Sequence, residues 1–268
     1  LTVWDDKLYS STEYGANLLK KMFNASYFDY PKSLYAVIDS LKIGNLDKDT
    51  IVLDFFSGSA TTAHATMQLN AEDGGNRKYI CVQIPEKTDS DSEAYKAGYK
   101  TICDIAKERI RRAGKKIKEE HPDVKDLDTG FRVFRLDESN YENVERTPKE
   151  YNQDQLDLFL NNVKSDRDDL DLLFGCMLDW GVKLSLPMSS EEVDGKMIYT
   201  VNDGDLVACF AEKVTDNVVR AMAEKQPLRV IFRDSCFDQD ADKINIYETF
   251  KQLLDWSDEN VKNNIRVI

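Results

Sequence analysis

Asp54, Gly58 and Glu86 are the residues whose types and spacing can do chemistry here. Asp54 closes a short apolar run, Ile51-Val52-Leu53, and places a carboxylate where a cationic ligand group is a better match than a phosphate. Gly58 sits in the tight turn Phe55–Ser59, where the missing side chain lets a ligand approach the backbone. Thr61 or Thr62 can then begin a helix whose N-terminus offers free N–H groups. Glu86 follows Asp54 by about thirty residues, at the end of the next apolar run, where nucleotide-binding α/β units place an acidic residue to accept hydrogen bonds from ribose hydroxyls. The turn is not G-x-G-x-x-G, so a dinucleotide pyrophosphate fits poorly.

These groups need a scaffold, and periodicity predicts one. Ile51–Leu53 reads as a buried parallel strand, with Ala63 and Met67 on the inner face of the helix that follows. Residues 78–86 read as the second strand, closed by Pro85. Upstream, Ser11 or Thr12 can cap a helix reaching about Phe23, and Pro31 suits the start of another that Gly44 ends. Residues 94–120 read as one amphipathic helix, with Ile102, Ile105, Ala106, Ile110, Ala113 and Ile117 inside. Lys107, Arg109, Arg111, Arg112, Lys115, Lys116 and Lys118 fall on its exposed part, as a solvated outer face or a contact for DNA phosphates. Gly130–Leu136 reads as a third strand.

The run Asp54-Phe55-Phe56-Ser57-Gly58-Ser59-Ala60-Thr61-Thr62, continued by His64 and Ala65, resembles the S-adenosylmethionine-binding motif of amino-group DNA methyltransferases. It is most similar to that of the modification subunits of type III restriction-modification systems. Ala60 departs from the pattern, which has glycine there. Phe28-Asp29-Tyr30-Pro31-Lys32, Val82-Gln83-Ile84-Pro85-Glu86, Ile105–Ala113 and Leu127–Asp137 resemble further segments of the same subunits. The resemblance implies a Rossmann-like α/β fold with S-adenosylmethionine as cofactor. It also implies cofactor contacts at Pro31, Lys32, Asp54, Phe55, Phe56, Ser57, Gly58, Ser59, Thr62 and Glu86. Glu86 would take the ribose, and Lys32 would lie near the cofactor's carboxylate. Without the resemblance, Pro31 reads as a helix start and Lys32 as a solvated lysine.

The catalytic tetrapeptide of that family, a polar residue followed by Pro-Pro and an aromatic, has no counterpart, because no two prolines are adjacent. In the subgroup with this motif order it lies before the cofactor motif, together with the target-recognition region. The expectation is therefore the carboxy-terminal part of an adenine-N6 methyltransferase, inactive by itself. Leu1-Thr2-Val3-Trp4 likewise reads like the middle of a protein. The implied partners are double-stranded DNA, a second modification subunit in a homodimer and the restriction subunit.

The 268 residues can make two domains or one large one, and the formal charge of −13 argues against wrapping nucleic acid over the whole surface. Five cysteines, with no C-x-x-C pair, suit a reducing bacterial cytoplasm and argue against zinc. No apolar run has membrane length. A polar stretch with Pro148 suggests a boundary between a cofactor-binding half, 1–149, and a small α/β domain, 150–268, with an assembly role. In the second part, Leu170–Trp180, Val214–Glu224 and Asn245–Trp256 read as helices. Met197–Val201 and Leu206–Phe210 read as a hairpin around Asn202-Asp203-Gly204-Asp205, and Leu228–Phe232 and Ile265–Ile268 as further strands. Asp234 reads as structural. Two other function classes remain: a different Rossmann-like enzyme using NAD or a small methyl acceptor, and a non-catalytic assembly module.

Overall fold

A computed structural model describes residues 4–44, 47–142, 162–237 and 239–268. The chain separates into two compact units, Leu1–Val133 and Phe134–Ile268. The boundary expected between residues 149 and 150 lies outside the described residues.

The first unit is built around a parallel βαβ unit. Strand β1 (Ile51–Asp54) pairs with β2 (Lys78–Cys81), Leu53 opposite Ile80, and a helix, Thr61–Asp73, connects them. Before it come α1 (Leu18–Phe23) and α2 (Leu34–Ile43), so the connecting helix is α3. After β2 come α4 (Glu93–Lys96) and α5 (Ile102–Glu120). Helix α3 is buried on nearly every side. Leu34 and Ile38 of α2 pack on Ala65 and Leu69, while Ala106, Ile110, Ala113 and Ile117 of α5 pack on Ala63, Met67 and Ala71. The alanines let the α3 and α5 backbones approach closely. Asn70 and Arg77 hold the return to β2: the Asn70 amide donates to the Arg77 carbonyl at 2.9 Å and accepts from the Arg77 N–H at 3.0 Å.

Several expectations change. Pro31 does not start α2: Ser33 is its N-cap, accepting from the Ala36 N–H, and Pro31 lies buried ahead of it. The helix expected from Ser11 or Thr12 opens as a π-helical turn, Thr12–Asn17, before α1. The second strand ends at Cys81 rather than near Glu86. The helix expected over 94–120 is two helices. Gly98, at φ 96°, breaks it, and Thr101 starts α5 afresh with a capping box to Asp104. Gly130–Leu136 forms no strand. A strand needs a hydrogen-bonding neighbour, and none of the described strands takes this segment as one. Its side chains go separate ways: Phe131 packs with the α3–α5 core, and Phe134 meets Phe174 edge-on at 5.0 Å in the second unit.

The second unit is a five-stranded mixed sheet in the order β3-β4-β5-β6-β7: Met188–Val193, Lys196–Val201, Leu206–Cys209, Val230–Phe232 and Ile265–Val267. The first three strands are antiparallel and the last three parallel. Both faces are covered. Val207, Cys209, Val230 and Phe232 point toward α7 (Asp216–Glu224), α8 (Asp240–Leu254) and α9 (Asp258–Asn264), while Leu206, Ala208 and Ile231 point toward α6 (Asp169–Asp179). The expected hairpin, helices and last two strands of this part are present. β3 and α9 were not foreseen, because Ser189, Ser190, Glu191 and Glu192 in β3 and the Asp, Glu and Asn residues of α9 carry little apolar periodicity.

Candidate ligand site

The turn after β1 is fixed from three directions. The Asp54 carboxylate accepts from the Phe56 N–H at 3.1 Å and from the Thr62 hydroxyl at 2.5 Å, tying the strand end to the first turn of α3. The Gly58 N–H donates to Gln83 Oε1 at 2.7 Å, and the Ser57 N–H to the Val82 carbonyl at 3.3 Å, tying the turn to the chain beyond β2. Third, Phe28 lies beneath Gly58: a Cβ built on that glycine would stand 3.3 Å from the ring. With φ at 49°, any side chain there would be strained as well as crowded.

Helix α3 then begins without a side-chain cap. Its N-cap is Ala60, at φ 60° and ψ 43°, a left-handed conformation that glycine adopts freely and alanine does not. The glycine of the motif thus has a local reason, and Ala60 occupies its place under strain. The first N–H groups of α3 are left for a ligand or water.

The ten expected contact residues distribute unevenly. Phe55 and Phe56 project outward, Phe56 83% exposed. Lys32 is exposed and Pro31 buried, and the packing of Phe28 under Gly58 brings their segment to the turn. Glu86 is exposed, its carboxylate free of hydrogen bonds and ion pairs among the described residues, while its carbonyl accepts from the Ile102 N–H at 3.0 Å. Asp54 and Thr62 are half-buried. Ser57 and Ser59 are buried, and the Ser59 hydroxyl accepts from Arg109 on the inner side. What they offer a ligand is backbone.

The residues suit S-adenosylmethionine in chemical type. Glu86 is an unpaired carboxylate for hydroxyls, and Asp54 keeps acceptor capacity beyond its two internal bonds. Among the described residues the Lys32 ammonium makes no ion pair, the two phenylalanines offer an apolar wall, and a side chain at Gly58 would crowd Phe28. The nearby titratable groups are not poised for catalysis. Burial, aided by the Asp54 carboxylate, pushes the Cys81 thiol up to about 11, so it is no nucleophile at neutral pH. Burial and the charges of Arg109 and Lys116 hold His64 well below the usual imidazole range, and its Nδ1 has no partner among the described residues. Among the described residues no three His, Cys, Asp or Glu side chains converge as a metal would need. Asp234 pairs with Lys243 at 3.3 Å in the second unit.

Arg109 was misplaced by sequence reasoning. Expected on the exposed basic face, it is 0% exposed, with its guanidinium beneath the turn. The available signal was spacing: position 109 lies four residues from both Ile105 and Ala113, on the inner stripe. Most other basic residues of α5 are paired along the helix, Lys107 with Asp104, Arg111 and Arg112 with Glu108, Lys115 with Glu119 and Lys116 with Glu120. That is the pattern of a solvated face. Gln83, which holds Gly58, was also missed as a functional residue.

No family model matches the chain. Among curated proteins it is 38% identical over 156 residues to the type III restriction-modification enzyme StyLTI Mod subunit of Salmonella typhimurium, covering 58% of this chain and 22% of that protein. It is 31% identical over 252 residues to the EcoP15I Mod subunit of Escherichia coli, covering 88% of this chain and 35% of that protein. The type II methyltransferase M.KpnI of Klebsiella pneumoniae is 38% identical over 109 residues, 41% of this chain and 26% of that protein. The chain thus spans about a fifth to a third of the relatives it matches.

Proposed function

This chain is related to part of the Mod subunits of type III restriction-modification enzymes, and from that premise we propose that it forms the S-adenosylmethionine-binding part of a DNA adenine-N6 methyltransferase. The observation that carries the reading is the turn Asp54–Ser59, braced from within and open outside, together with the unpaired Glu86 beyond β2. Glu86 takes the ribose hydroxyls, Asp54 and Lys32 lie toward the amino-acid end of the cofactor, and Phe55 and Phe56 wall the site. The cofactor supplies the methyl group. The residues that would hold the adenine amine have no counterpart here, so residues 1–268 alone transfer no methyl group to double-stranded DNA. Catalysis needs acceptor and donor held together in line.

Calorimetry tests the reading. Glu86→Ala should weaken S-adenosylmethionine binding about tenfold to a hundredfold, the range expected for losing hydrogen bonds to a charged group. Asp54→Ala should weaken it as well, because Phe56 and Thr62 lose their acceptor. Unchanged affinity in both folded variants would sink the assignment.

The second part, 150–268 in the division suggested by the sequence, is proposed to serve assembly, with a second modification subunit in a homodimer or with the restriction subunit. Its complete core and its acidic surface favour protein contact over DNA backbone. The setting is a bacterial cytoplasm, a reading supported by five free cysteines. Among the described residues no helix is long and apolar enough to cross a membrane.

A further inference from the structure

Arg109 is an unusual core residue. It reaches from α5 to the start of α3 and is fully buried, yet among the described residues no carboxylate pairs with it: burial lowers its pKa to about 10. Its Nη1 donates to the Thr61 hydroxyl at 2.7 Å, the Ser59 hydroxyl at 2.9 Å and the Ser59 carbonyl at 3.4 Å, while Nε and Nη2 are buried and have no partner among the described residues. An unpaired buried cation costs stability, and one beside a helix N-terminus also sits at the wrong end of the dipole. Stability therefore does not account for this residue. Its contacts suggest what does. Ser59 and Thr61 flank Ala60, the left-handed alanine where the motif has glycine, and one guanidinium nitrogen holds both neighbours.

We infer that Arg109 is a positioning residue for the ligand turn: without touching the ligand, it clasps Ser59 and Thr61 about Ala60 and so fixes the geometry in which the turn and the first N–H groups of α3 meet S-adenosylmethionine. The inference rests on the reading of the site given above. It goes beyond that reading in locating control of the site on α5, about fifty residues away in sequence and on the inner side of the turn.

The test uses Arg109→Met, which keeps length and suits the surrounding Ala and Ile side chains, and Arg109→Lys, which keeps the charge and can still donate to both hydroxyls. Thermal unfolding, calorimetry with S-adenosylmethionine, and amide hydrogen exchange of the ligand-free protein are measured on each. Arg109→Met should melt no lower than the parent, while its affinity falls about tenfold, the equivalent of one hydrogen bond to a charged group. Exchange over residues 57–62 should quicken and remain unchanged elsewhere, and Arg109→Lys should recover most of both effects. Parent-like affinity and exchange in Arg109→Met would overturn the inference. So would an equal fall in melting temperature and affinity in both variants, which is the behaviour of a purely structural residue. If the parent itself fails to bind S-adenosylmethionine, the reading of the site fails, and the exchange data still decide whether Arg109 holds the turn.

Discussion

The two units solve the problem of burying a sheet to different degrees. In the second, every residue of β5 and β6 is inaccessible to solvent, with helices on both faces. In the first, only the face of Val52, Tyr79 and Cys81 is covered by helices. Ile51, Leu53, Ile80, Val82 and Ile84 remain exposed, Leu53 by 53%. Charge separates the units as well: 20 basic and 21 acidic residues in Leu1–Val133, against 16 and 28 in Phe134–Ile268. The unit with the candidate site is nearly neutral and bares an apolar sheet face. The unit without it buries its sheet on both faces and is acidic. The candidate ligand site thus lies in the unit whose sheet is covered on one face, and the sheet buried on both faces lies in the other.

The sharpest way to break this contrast is truncation in the two sheets. Phe232 is fully buried against Phe237 and Phe250, so Phe232→Ala should cost about 3–5 kcal/mol in denaturant unfolding. Leu53→Ala should stay within about 0.5 kcal/mol, as for an exposed site. A large loss at Leu53 would mean that its face is covered in solution, and the comparison would fall.

A smaller effect assigns pH dependence to one unit. Both histidines lie in the first unit, and only His64 is buried. Its folded pKa is depressed, so below the unfolded value of about 6.5 the unfolded chain binds a proton that the folded chain refuses. The stability this imidazole contributes is present above pH 6.5 and declines as pH falls, by up to about 1.4 kcal/mol per pH unit. Chemical denaturation between pH 5 and 7 should show the slope, and His64→Gln should remove it. A slope surviving in that variant would place the titrating group elsewhere.

The smallest effect concerns the turn. Ala60→Gly relieves about 1–2 kcal/mol of left-handed strain, against about 0.5–1 for chain entropy and about 0.8 for the buried methyl. These terms nearly cancel, and the change in unfolding free energy should lie within about 1 kcal/mol. A larger loss would show that the methyl in the α3–α5 core outweighs the strain.

Local chemistry made much of this protein legible. The strand at Ile51–Asp54, the turn at Gly58, the helix from Thr61 and the hairpin around Asn202–Asp205 follow from apolar runs and turn residues that act within a few positions of one another. The Asp54 and Glu86 carboxylates stand out as ligand candidates in the same way, at the ends of apolar runs. Only the tertiary structure decided the rest. Whether Gly130–Leu136 pairs depends on a neighbouring strand, which no local pattern supplies. The break at Gly98 depended on the competing cap at Thr101. Arg109 belongs to the apolar stripe by spacing and to the basic face by type, and spacing alone was too weak to override the charge. The choice came from Ser59 and Thr61, which offer hydroxyls about fifty residues earlier in the chain, because burial of a charge is decided by the groups that fold around it.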